Sequence, residues 1–201
     1  MIYLEFIERD RWVHIEVFRH NGNQQSNWSE GSEGSVDRMI LQLGRTMRLG
    51  PRPSYLCFWD IPDIARLDAW EEYFHSPAAG RNPRSLAMHR SINIDRAGLY
   101  DVLEARDPIE APLYVVEYCE PADADDAALR AGFAERARSH TGATPLRLLR
   151  RLGGLGPDPT ILAVWGVASY VAAEPLLRAP WPAATRLMDV GIYRPFGEEI
   201  L

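Results

Sequence analysis

The chain has 201 residues, 46% apolar and 25% charged, the make-up of an ordinary globular protein of one large domain or two small, closely packed ones. No stretch approaches the roughly 18 uninterrupted apolar residues of a membrane span; the N-terminus lacks the basic start and apolar core of a signal peptide, which predicts a cytoplasmic protein; and a net charge of −6 argues against binding nucleic-acid phosphates. All 22 basic residues are arginine, which excludes a lysine Schiff base, lysine-linked pyridoxal phosphate and a P-loop lysine.

Residues 2–7 and 13–17 both alternate, with Val13, Ile15 and Val17 on one face, and predict a hairpin turned at Glu8-Arg9-Asp10-Arg11. Residues 21–35, rich in Asn, Gln, Ser and Gly, predict a loop. Residues 36–48 read as a helix by pattern alone. A repeat changes that reading. Leu49-Gly50-Pro51-Arg52-Pro53 is matched by Leu155-Gly156-Pro157-Asp158-Pro159, Leu56 by Leu162 and Trp59 by Trp165, always at an offset of 106 residues. A repeat of this period implies duplication of one supersecondary unit.

The later copy is the easier to read. Residues 113–119 are a strand by β-branched and aromatic content. Residues 123–139 form an amphipathic helix with Leu129, Phe133 and Ala137 in one stripe and acids at its start. Residues 146–152 predict a strand, 153–159 a hairpin loop, and 160–165 a buried strand. Residues 169–178 predict a short helix containing Pro175, and 185–193 a last strand. The order β-α-β-β-α-β is that of a ferredoxin-like unit. By the repeat, residues 39–47 become a strand rather than a helix, 53–59 a strand, 63–74 a helix with Leu67, Trp70, Tyr73 and Phe74 in its apolar stripe, and 97–103 the closing strand. The fold class is then α+β: two ferredoxin-like repeats, residues 1–108 and 109–201, forming one pseudo-dimeric barrel.

The copies differ where chemistry is expected. From the aligned Trp to the closing Asp-Val pair the first takes 42 residues and the second 24, so the first carries an extra segment over residues 75–92. That segment holds His75, His89, Arg81, Arg84 and Arg90, and Asn82-Pro83 starts a short helix in it. A histidine titrates near neutrality and suits a general base; the ordinary alternative is a surface histidine. His89 has apolar neighbours and is the better placed of the two. His14 shares a strand face with Glu16, which can orient the imidazole, or the face is simply exposed. His20 sits by a strand end, and His140 at a helix C-terminus, where a cation suits the dipole.

Tyr55, Cys57 and Trp59 share one strand face and Ile161, Ala163 and Trp165 the matching one, an aromatic wall for a small molecule or plain core. Asp60 stands where the second copy has Gly166; it is an acid or base at a strand end, or a turn and cap residue. Arg81 and Arg84 suit a carboxylate or phenolate ligand, or are solvated. Cys57 and Cys119 lie in apolar runs and read as core; no zinc spacing is present, and no metal is expected.

The chain resembles the dimeric α+β barrel superfamily, most closely its NIPSNAP, EthD and antibiotic-biosynthesis-monooxygenase branches. The residues that carry this are the apolar strand ending Cys57-Phe58-Trp59-Asp60, then Leu67, Trp70 and Phe74, then Ser76-Pro77 opening a further helix. Counting both repeats, the resemblance spans nearly the whole chain. It implies paired ferredoxin-like sheets, often from two subunits, so that a homodimer is allowed. It also implies a ligand pocket but no single reaction. The expectation is a lyase, isomerase or cofactor-free oxygenase that acts on an apolar, aromatic or polyketide-like compound. Catalysis falls to His75, His89, His14 and Asp60, binding to Tyr55, Trp59, Arg81 and Arg84, and no organic cofactor is needed. The alternatives are a non-catalytic binding protein and a haem-binding barrel with an axial histidine.

Overall fold

The structure is a computed structural model that describes residues 1–8, 38–47, 49–50, 55–61, 64–65, 67–68, 72, 93–156, 159–182 and 185–195. The predicted strand over residues 13–17, the loop over 21–35 and the extra segment over 75–92 lie outside these. Eight strands are described: β1 (Ile2–Glu8), β2 (Arg38–Arg45), β3 (Tyr55–Asp60), β4 (Asn93–Ala105), β5 (Leu113–Pro121), β6 (Ala143–Arg151), β7 (Ile161–Val167) and β8 (Thr185–Pro195). Helices α1 (Asp126–Ser139) and α2 (Tyr170–Arg178) follow β5 and β7. Asp125 and Ser169 cap them, their side chains accepting from Ala128 N and Ala172 N. Ala65, Leu67, Asp68 and Glu72 of the helix expected over residues 63–74 are helical; its other positions lie outside the described residues.

The strands close into a barrel in the order β1-β3-β2-β8-β5-β7-β6-β4, each pair antiparallel. Closure leaves no sheet edge to be covered. Alternation along each strand then sorts side chains into two buried sets. Leu4, Leu43, Leu56, Phe58, Tyr100, Tyr114, Val116, Tyr118, Leu162, Val164 and Tyr193 fill the inside. Leu113, Val115, Cys119, Ile161, Ala163 and Trp165 face outward and pack under α1 and α2, against Leu129, Phe133, Ala173 and Leu176.

Pairing details recur around the ring. The β2–β3 ladder slips between Met39 and Leu41, and the β6–β7 ladder between Pro145 and Arg147. The β1–β4 ladder slips between Phe6 and Ile7, and the β5–β8 ladder between Tyr118 and Cys119. Arg45 sits opposite Tyr193 and Arg151 opposite Tyr100. The two glycine-proline loops also act alike. Leu49 O accepts from Ile192 N and Leu155 O from Leu99 N, while Arg45 and Arg151 donate to Gly50 O and Gly156 O. Gly50 and Gly156 have φ of +118° and +128°. A Cβ on either would stand 2.4 or 2.5 Å from the Cα of Gly191 or Gly98 on the strand that the loop crosses, so only glycine fits.

The strand reading of residues 39–47 holds as β2. β4 runs further at both ends than residues 97–103, and β6 starts earlier than residue 146. His140 departs from its expected role. It caps α1 but is half-buried, and burial first, then the Arg136 charge, lowers its pKa.

Candidate functional site

β3 and β7 are four antiparallel steps apart around the ring, so they run parallel and end at the same mouth of the barrel. Leu56 and Phe58 of β3, and Leu162 and Val164 of β7, belong to the inward set. The next inward places are Asp60 and Gly166. Both therefore sit at the rim, one in each half, and their surroundings differ. Asp60 is exposed. Gly166 is buried beneath residues 106–112, which join β4 to β5; a Cβ there would come within 2.8 Å of Ala111 Cβ.

That joining segment is a strap tied down along its length. Arg106 N donates to Leu146 O. Arg147, its side chain 8% exposed, donates to Arg106 O and pairs with Asp107 Oδ1 at 2.8 Å. The Tyr114 hydroxyl accepts from Ala111 N and donates to Ile109 O, both at 2.9 Å. Ile109 and Ala111 pack against the inner core. Between strap and rim lies a cleft of about 410 Å³, lined among others by Arg106, Glu110, Thr144, Leu146, Gly166 and Ala168.

Of the other residues singled out in the sequence, His75, His89, His14, Arg81 and Arg84 lie outside the described residues. Tyr55 and Trp59 are half-buried. They alternate with Leu56 and Phe58, which places them in the outward set. The same holds in β7, where Trp165 packs on Phe133 of α1 with ring centroids 4.5 Å apart.

Two buried polar groupings escaped the sequence reading. On the outer side of β5, Glu117 accepts from Arg136 Nε at 3.3 Å, from Arg136 Nη2, and from Trp165 Nε1 at 2.7 Å. Arg136 also donates to the carbonyls of Leu176, Ala179 and Pro180 and lies 5.2 Å from the Trp181 ring. One ion pair thus binds β5, β7, α1 and the end of α2. Burial pushes the Glu117 pKa up, and the Arg136 and indole hydrogen bonds oppose that. A charged residue midway along an apolar strand was the available signal. Inside the barrel, the Tyr118 and Tyr193 hydroxyls meet at 2.6 Å and Tyr100 donates to Pro159 O. Burial is the main cause that raises the Tyr118 pKa well above the ordinary value.

Among the described residues no group of His, Cys, Asp and Glu is arranged to hold a metal ion, and no helix is long and apolar enough to cross a membrane. Of the five histidines only His140 is described, and it caps α1 outside the barrel. The inner tyrosine hydroxyls are engaged with one another or with backbone carbonyls.

No protein-family model matches the sequence, and no curated protein matches it. The fold does have solved counterparts. A chlorite dismutase-like protein shares it at a TM-score of 0.57 and 8% identity over 96% of this chain and 93% of its own. An anthrone oxidase-like protein shares it at a TM-score of 0.54 and 12% identity over 99% of this chain and 94% of its own. At such identities the likeness is one of fold alone: an α+β barrel of antiparallel strands.

Proposed function

We propose that the protein is an enzyme for a small, largely apolar, aromatic or polyketide-like compound, and that it works by proton transfer without an organic cofactor. The observation that carries this reading is Asp60: an exposed carboxylate at the barrel mouth, in an inward place whose counterpart is a covered glycine. Proton removal from an acidic C–H or O–H of a bound ring leaves a delocalised anion, which a lyase, an isomerase or a cofactor-free oxygenase can each use. His75, His89 and His14 are the proposed partners of Asp60 in moving that proton, and Arg81 and Arg84 would hold the developing oxyanion. Tyr55 and Trp59, in the outward set of β3, enter only as support for the strand that presents Asp60. The fold shared with an anthrone oxidase-like protein makes an anthrone the first compound to try.

The same reading takes residues 1–108 and 109–201 as two ferredoxin-like repeats. The recurring ladder slips and the two like glycine-proline loops support it. In the experiment, oxygen uptake and the visible spectrum are followed with anthrone in air, for the native chain and for Asp60→Asn, His75→Ala, His89→Ala and His14→Ala. Loss of the true base lowers kcat by about 10²–10⁴. Equal turnover by all four variants would refute the assignment. A non-catalytic binding role is the second reading, favoured by the dense Leu, Val and Tyr filling of the described interior; tight binding without turnover would select it.

A further inference from the structure

We infer that the cleft between residues 106–112 and the barrel rim is a second binding site, and that it takes a small zwitterion with an apolar body, such as an apolar dipeptide. The inference goes beyond the proposed activity and makes no use of Asp60. Three observations combine. First, the cleft has the volume of a small-molecule site, about 410 Å³, and one of its walls is fixed in place. Arg147 holds the start of that wall through Arg106 O and Asp107, and the Tyr114 hydroxyl clamps Ile109 O and Ala111 N. A ligand therefore has little of the wall to order on binding. Second, much of the lining is apolar: Pro108, Ala111, Pro112, Leu146, Val167 and Ala168. Third, its charges are balanced and unspent. Asp107 is answered by Arg147. That leaves one cation, Arg106, and one anion, Glu110, both on the strap and both exposed. Among the described residues neither side chain has a hydrogen bond or ion pair, and the Thr144 hydroxyl on β6 has none either.

A ligand with a single negative charge would be drawn to Arg106 and repelled by Glu110; one with a single positive charge would meet the reverse. A ligand with both charges answers both, its carboxylate to Arg106 and its ammonium to Glu110, while its body covers the apolar lining. The two ends of a dipeptide stand about 7 Å apart, at roughly 3.3–3.6 Å per residue, a distance that side chains four residues apart on one strap can span.

The probe for testing this is L-leucyl-L-leucine, added to the full chain and followed by amide chemical shifts. Shifts should gather at Gly142, Thr144, Gly166, Val167 and Ala168, with Asp60 and Ile61 unmoved. N-phenyl-1-naphthylamine, an apolar amine with no acid group, should leave those five amides unmoved. Two capped peptides then assign the charges. Arg106→Gln should weaken L-leucyl-L-leucine and N-acetyl-L-leucyl-L-leucine, which keep the carboxylate, by about tenfold or more, and L-leucyl-L-leucinamide, which lacks it, by less than about twofold. Glu110→Gln should weaken the dipeptide and the amide by about tenfold or more and spare the acetylated form. Both side chains are exposed, so the urea midpoint should stay at its native value in each variant. Ala168→Trp, which fills the cleft, should weaken all three ligands. No shifts with millimolar dipeptide, shifts centred on Asp60, losses that do not follow the ligand's charge, or undiminished binding in Ala168→Trp would each overturn the inference. Turnover plays no part in the readout, so a failed activity assay leaves this result intact, and the converse holds.

Discussion

Trp165 is fully buried, in a tilted ring contact with Phe133 and bonded to Glu117, whereas Trp59, at the matching place in β3, is only half-buried. Gly166 lies under a clamped strap, whereas Asp60 at the matching rim is exposed. One pairing scheme thus carries two different loads. In the second half Glu117 and Arg136 hold helices to strands, and Arg147 and Tyr114 hold the strap at the rim. In the first half a carboxylate is left facing water at the same height. Hydrogen-bonded registers resist change, because a slip of one residue turns every side chain to the other face. Single rim positions do not, so like ladders can carry residues as different as Asp60 and Gly166.

The sharpest way to break this comparison is to truncate the two tryptophans. Trp165→Ala opens a cavity and takes a donor from the buried Glu117, and should cost about 3–5 kcal/mol in urea unfolding. Trp59→Ala, at a half-buried site, should cost about half as much. Equal losses would mean that the halves are loaded alike. The glycine pair tests the opposite side of the argument, the likeness. Gly50→Ala and Gly156→Ala each force a left-handed backbone and a Cβ onto a neighbouring Cα, and each should destabilise by more than about 1 kcal/mol. Their midpoints should fall together; a large gap between them would show that the two loops are not equivalent.

The sequence made part of this visible. The repeated Leu-Gly-Pro loops placed β2 as a strand where local pattern favoured a helix, because a loop fixed at the same distance from the same tryptophan constrains what precedes it. The order of β5 to β8 and both described helices followed from ordinary caps and alternation. The orientation of β3 and β7 did not. Both faces of these strands are apolar, so hydrophobicity sorts Leu56 and Phe58 from Cys57 and Trp59 without saying which pair faces inward. The Glu117–Arg136 pair was hidden for another reason: it needs α1 to lie across β5, a fact of packing. The strap was hidden because nothing in Arg106-Asp107-Pro108 marks it as seated on a glycine 60 residues away.

The most direct test of unequal halves on one ladder is amide chemical-shift mapping of the full chain with N-phenyl-1-naphthylamine added. Shifts concentrated at Asp60 and Ile61, with Ala111 and Gly166 unmoved, are what a ligand site at the exposed carboxylate of the first half predicts. Shifts centred on Ala111 and Gly166, with Asp60 silent, would contradict it.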